Sequence, residues 1–265
     1  HTSARDLGPF TVRMADGAIK LLDFQFNGWG LKFAADRDNL ATQSLADRGV
    51  FAVGVENRRG FVLEGGSIES DGCGTLLTTS QCLLSPNRNA QMSHADIEAY
   101  LCEAFGADRV LWLDHGAMAG DDTDSHIDTL CRLAPGDTIV YTGTSDTSDE
   151  HYEELARMKE QIATFRTSSG EPYRMVQLPL PDAIYDADCG ERLPATYANY
   201  LVLDGRILMP GYGQPHNDRM AADALRVAYP DHEVEIIDCR ALIRQHGSLH
   251  CITMQIPLTA LSQYV

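Results

Sequence analysis

Gly120-Asp121-Asp122-Thr123-Asp124-Ser125-His126-Ile127-Asp128 puts four carboxylates and one imidazole into nine residues. That much charge is too costly to bury without partners, so the run either lies in solvent as a turn or faces something cationic. The first rival, a calcium loop, needs Gly at its sixth position and Glu at its twelfth. Counted from Asp122 those positions hold Ile127 and Leu133, and from Asp124 they hold Thr129 and Pro135. The calcium reading therefore fails. Asp124, His126 and Asp128 alternate, and on a strand they share one face with Ser125 and Ile127 on the other. That spacing tips the reading from a solvated turn toward a site carried on a strand over 125–133.

Working outward, the same order of elements recurs. Thr11–Met14 and Ile19–Phe26 flank the Asp16-Gly17 turn as a hairpin. A helix over 39–48, stopped by Gly49, and a strand over 50–55 follow. Segments 61–68 and 74–79 form a second hairpin across Asp71-Gly72, Ser93 caps a helix running to Phe105, and 110–113 is a strand. The order returns at 138–142, 149–164 and 173–178, and again at 200–203, 206–210, 217–228 and 233–239. Helix starts separated by roughly 55 to 65 residues mark a repeated strand-strand-helix-strand unit. Units of this kind pack around a shared axis with their helices outside, leaving an opening where unit ends converge. The spacing predicts three complete copies after a first hairpin unit, with 248–257 beginning another.

A chain of 265 residues, 44% of them hydrophobic, can bury a full core. The formal charge of −17 opposes binding to phosphate backbones, so nucleic acid is not an expected partner. No apolar run reaches the roughly 18 residues that span a membrane, so none is expected to. Seven cysteines without any Cys-x-x-Cys spacing argue against zinc and redox motifs, and suit a reducing compartment. The first residue is His1, with no basic and apolar leader before it. The expected location is the cytoplasm, and a homodimer is left open.

Chemistry-bearing residues stand at comparable unit ends: Arg5-Asp6, Glu64-Gly65-Gly66, His126-Ile127-Asp128 and His246 to Cys251. Taken singly, each has an ordinary meaning as a surface ion pair, a turn or a buried thiol. Taken together, Cys, His, Glu and two Asp are what attack on a guanidinium carbon requires. Two carboxylates hold the planar cation, a thiolate attacks, and an imidazole moves protons.

The runs Val62-Leu63-Glu64-Gly65-Gly66-Ser67-Ile68, Gly120 to Asp128 and Leu249-His250-Cys251-Ile252-Thr253, together with Gly74 to Thr79 and Asn87-Arg88-Asn89, resemble the agmatine deiminase family, also called bacterial-type peptidyl-arginine deiminases. The resemblance covers nearly the whole chain. It implies an α/β fold, a five-bladed, pentein-like propeller of the guanidine-modifying superfamily, as one catalytic domain over 1–265 whose first blade is largely absent. By resemblance Asp6 and Asp128 grip the guanidinium, Glu64 and His126 are the acid/base pair, and Cys251 is the nucleophile. Asp122 and Asp124 are further substrate-binding candidates. The implied reaction turns agmatine into N-carbamoylputrescine, a step toward putrescine, through a covalent thiouronium, with no metal or organic cofactor. The alternatives are a peptidyl-arginine deiminase and a non-catalytic, cation-binding propeller fragment. Two positions depart from the family pattern: Ser3 stands where Trp is expected, and Leu7 where a polar residue is commoner.

Overall fold

The computed structural model describes residues 2–262. Each unit begins with a tight hairpin because Gly and Asp supply the turn. Each then sends a helix across to return a third strand parallel to the second. The first sheet is β1 (Phe10–Arg13), β2 (Ile19–Gln25) and β3 (Val55–Val62), with the helix Ala41–Asp47 in its crossover. The second is β4 (Ile68–Ser70), β5 (Thr75–Thr79) and β6 (Arg109–Leu113), with the helix His94–Phe105. The third is β7 (Cys131–Ala134), β8 (Thr138–Gly143) and β9 (Arg174–Pro179), with Tyr152–Thr164. The fourth is β10 (Leu201–Leu203), β11 (Arg206–Gly211) and β12 (Glu233–Asp238), with Pro215–Ala228. In every sheet the hairpin is antiparallel and the last pair parallel, as in Leu76 facing first Ser70 and then Val110.

The central strands β5 and β8 are buried along their whole length, so both faces are covered. What covers them follows one rule. Ile97, Leu101 and Ala104 of the second unit's helix share a core with Leu22, Phe24 and Phe61 of the first sheet and Ile68, Leu76 and Val110 of the second. Leu155, Met158 and Ile162 likewise join Leu77 and Leu113 to Ile139 and Tyr141. Ala221, Ala222 and Leu225 join Val140, Val176 and Leu178 to Ile207 and Met209. The crossover helices of the second, third and fourth units thus each seal their own sheet against the preceding one. Every fully buried Leu or Ile in such a seam contributes about 1.5–3 kcal/mol.

Three expectations need correction. The first unit is a complete copy like the other three, and its third strand is Val55–Val62, later than 50–55. Its polar side chains are why the reading slipped, since Arg59 pairs with the buried Asp23 and Arg58 with the exposed Glu103. The stretch 125–133 is not one strand. Asp124 and Ser125 both have φ of 65°, in the left-handed region, and a 3-10 turn at Ile127–Thr129 precedes β7. Finally, 248–257 forms turns rather than a strand. Asn199 takes backbone N–H groups there, and Arg5 N donates to Cys251 O. Leu261 then bridges back to Phe51 of the first unit. No helix among the described residues is long and apolar enough to cross a membrane.

Candidate active site

Each candidate residue comes from a connection between units, or from the stretch leading into the first. Asp6 sits in the short helix Ala4–Leu7 before β1, Glu64 between β3 and β4, and His126 and Asp128 between β6 and β7. Asn199 lies between β9 and β10, and Cys251 beyond β12. Residues scattered over the chain meet because these connections meet.

Asp6 is held by Gly66 N at 3.0 Å and by Trp29 Nε1 at 3.0 Å. Its Oδ1 lies 3.7 Å from His126 Nδ1. This closeness requires glycine at 66, where a Cβ would lie 2.6 Å from His126 Nδ1 and 3.0 Å from Asp128 Oδ2. Glycine is also required at 65, where a Cβ would lie 2.1 Å from Arg5 O. The Glu-Gly-Gly motif is thus a close approach between connections as well as a turn.

The aspartate run is a scaffold folded on itself. Asp121 accepts from Thr123 N and Ser125 N, and Thr123 Oγ1 accepts from His126 N at 3.0 Å. These bonds set the imidazole in place by a turn, not by a strand face. Asp124, expected to bind substrate, is instead taken by Lys32 at 2.5 Å and Arg88 at 2.7 Å and does not line the cavity. Asp122 does line it, 3.4 Å from His246 Nδ1.

That cavity, about 300 Å³, is bounded by Asp6, Trp29, Phe33, Asp122, His246 and Cys251, among others. A larger one of about 910 Å³ is lined by Arg5, Glu69, Arg132 and His250 but by neither Asp6 nor Cys251, which both line the smaller. Among the described residues five buried side-chain polar atoms have no hydrogen-bond partner, and two of them belong to candidate site residues: Asp128 Oδ1 and His126 Nε2. Polar atoms this deeply buried are rarely left unpartnered, and a missing ligand is one reason for it.

The electrostatics say what the ligand must be. Burial pushes Asp6 up to about 7, against the bonds from Gly66 and Trp29. Burial, then the charge of Asp6, push Asp128 up to about 8. Burial followed by Asp128 and Asp6 raises the Cys251 thiol well above its ordinary value. Burial, with Arg88 and Lys32 nearby, holds His126 well below its own. The thiol and the imidazole are therefore neutral and the carboxyls reluctant to ionise, a set that a planar cation would switch on.

Glu64 is fully buried, and both its oxygens accept from Arg88 Nε at 3.0 Å. Burial pushes the Glu64 carboxyl up and the Arg88 charge acts against it. Glu64, Cys82 and His126 bring possible metal-ligand atoms within 4.8 Å of one another. The permanent cation Arg88 already occupies this carboxylate, which makes it a poor donor to a metal ion.

Sequence reasoning missed three contributors. Trp29 carries an indole to Asp6 from a segment with φ of 55°. Asn199 Oδ1 accepts from His250 N at 2.9 Å and lies 3.5 Å from Cys251 Sγ. Arg88 was noted only within a run, although it joins Glu64, Asp124 and Thr123 O. Only Arg88 left a sequence signal, a cation inside an apolar and amide stretch.

Cys251 and Asp6 line a cation-seeking cavity, while His126 and Asp128 are buried close to Asp6 and outside that lining; this set of groups fits a deiminase acting on guanidino groups. The chain belongs to the Porphyromonas-type peptidyl-arginine deiminase family, which matches residues 1–257. It is 36% identical over 272 residues to a candidate agmatine deiminase of Vibrio parahaemolyticus, covering 96% of this chain and 74% of the relative. Its structure is similar to that of a candidate arginine deiminase from Porphyromonas gingivalis, with 51% identity and TM-score 0.93, over 98% of this chain and 76% of the other. It is also similar to a Cys-to-Ser variant of C. jejuni agmatine deiminase with substrate bound. There the identity is 38% and the TM-score 0.86, over 94% of this chain and 71% of the other.

Proposed function

We propose that this protein hydrolyses the guanidinium group of agmatine to N-carbamoylputrescine and ammonia, with Cys251 as nucleophile. The observation that carries the reading is the cavity wall itself, with Asp6 and Cys251 side by side and Asp122 at a half-exposed position on the same lining. Agmatine is a dication, and Asp6 with Asp128 would take its planar end by parallel hydrogen bonds. Asp122, whose side chain is 40% exposed, would take the ammonium.

The bound guanidinium draws both carboxyls into their charged forms and favours the thiolate, so the Cys251 proton passes to His126. The thiolate adds to the guanidinium carbon. The imidazolium returns its proton to the departing nitrogen, and ammonia leaves a thiouronium on Cys251. His126 then takes a proton from water as it attacks the same carbon. The carbon–sulfur bond breaks, releasing the ureido product and the thiolate. Glu64, fixed by Arg88, keeps a negative charge near His126 throughout.

In the same reading the four sheets are blades of a five-bladed α/β propeller forming one catalytic domain. The like packing of the second, third and fourth helices on the preceding sheets, and the site's origin in equivalent connections, support this arrangement.

Ammonia release from agmatine, a blocked arginine peptide and free arginine at two ionic strengths tests the substrate. Agmatine ranks first and free arginine last, because its carboxylate about 4 Å from an aspartate costs about 1 kcal/mol in water and more inside the cleft. Salt narrows the gap. Free arginine ranking first would overturn the reading, and the blocked peptide ranking first would make the substrate a peptide.

A further inference from the structure

One buried titratable side chain beside the nucleophile takes no part in the reaction above. His250 is 4% exposed, and its Nδ1 lies 2.7 Å from Asp128 Oδ2. Its other nitrogen, Nε2, faces Arg132 Nη2 at 3.4 Å. A guanidinium has only donors, so Nε2 must present its lone pair, and the ring proton must sit on Nδ1. His250 therefore donates to Asp128.

Nothing in this chain of contacts is loose. Arg132 is held by Glu69 at 2.9 Å and by Tyr200 O at 2.6 Å, with its guanidinium over the Tyr200 ring at 4.6 Å. The His250 backbone N–H is taken by Asn199 Oδ1. Burial first, then Arg132, Arg5 and His126, keep the imidazole uncharged. The consequence falls on the carboxylate: Oδ2 is committed, and Oδ1 is left as its unpartnered, buried oxygen.

We propose that His250 is a positioning residue, fixed in its Nδ1–H tautomer by Arg132, which clamps Asp128 by one oxygen so that the other meets the substrate guanidinium. This rests on the reading of Asp128 as a guanidinium holder. Such an orienting donor to a charged group is commonly worth ten- to a hundredfold in binding.

The test uses the amide isosteres of the two ring nitrogens. His250→Asn keeps an N–H near the Nδ1 position, whereas His250→Gln places it near Nε2. With agmatine as substrate, His250→Asn stays within about fivefold of the parent in kcat/KM. His250→Gln loses about ten- to a hundredfold, mostly as a higher KM, because the clamp acts before the transition state as well as in it. Equal loss in both variants, or none in either, overturns the proposal. Asp128→Asn run alongside separates the two claims: full activity there refutes the underlying reading, while a dead Asp128→Asn with an unimpaired His250→Gln refutes only the clamp. Nitrogen NMR of the Cys251→Ser protein labelled with 15N-histidine needs no change at His250. It shows a protonated Nδ1 and a bare Nε2 for that ring, and the opposite tautomer or an imidazolium would end the argument.

Discussion

Binding of a guanidinium to this site should expel protons, and the number is set by two carboxyls. Asp6 at about 7 and Asp128 at about 8 are mostly protonated at mildly acid pH before a cation binds, since burial disfavours both charges, with Glu64 adding to the rise at Asp6 and Asp6 to the rise at Asp128. A bound guanidinium supplies the missing counter-charge to both, so both ionise. At pH 6.5 the empty pair holds about 1.7 protons that the ligand displaces, and at pH 9 about 0.1. Between pH 6 and 9 the affinity should therefore rise about a thousandfold, the sign expected when a ligand binds only the deprotonated form. The imidazole contributes nothing, being neutral across this window. The perturbation is Cys251→Ser, which removes turnover and the thiol's own titration. The assay is calorimetric titration with agmatine at pH 6.5, 7.5 and 9, each in two buffers of different ionisation heat. Buffer-independent heats at pH 6.5, or a dissociation constant flat from pH 6 to 9, would refute the electrostatic argument.

Arg88→Met should cost about 3–5 kcal/mol in urea unfolding, because it strips the fully buried Glu64 of its counter-ion. An unchanged midpoint would show that Glu64 is neutral. Gly66→Ala places a methyl 2.6 Å from His126 Nδ1 and should lower turnover at least about tenfold while the chain still folds. Wild-type rates there would mean the connections are free to part. Trp29→Phe removes an N–H from the charged form of Asp6, so its pKa rises further and the acid limb of kcat/KM moves to higher pH. A limb that stays in place or moves toward acid would separate Trp29 from Asp6.

Much of this architecture was legible because its punctuation is local. Asp71-Gly72 turns its hairpin, and Ser93 caps its helix with a reciprocal bond to Asp96. Central strands announce themselves as apolar runs. The first unit was half read because Val55–Val62 carries two arginines whose partners, Asp23 and Glu103, are distant in sequence. At the site, composition singled out residues that the fold brings near one another, though not in the way the alternation implied. His126 does lie 3.7 Å from Asp6, and the charges of Asp6 and Asp128 both act on Cys251, yet the positive φ at Asp124 and Ser125 breaks the alternation that suggested a shared strand face. Alternation counts residues, whereas a left-handed pair of residues redirects the chain. Asp124 looked available because its partners Lys32 and Arg88 lie 92 and 36 residues away. Trp29 and Asn199 could not be found at all, since an indole reaching a carboxylate 23 residues earlier leaves no local pattern.

Covalent attack by Cys251 is most directly tested by stopping turnover of agmatine with acid within the first cycles and weighing the cysteine-containing peptides. The account predicts that the peptide carrying Cys251 gains the mass of agmatine less ammonia, that the adduct decays as product forms, and that Cys251→Ser shows neither adduct nor turnover above about a thousandth of the parent. Turnover at the parent rate in Cys251→Ser, or the same adduct on any of the other six cysteines, would contradict it.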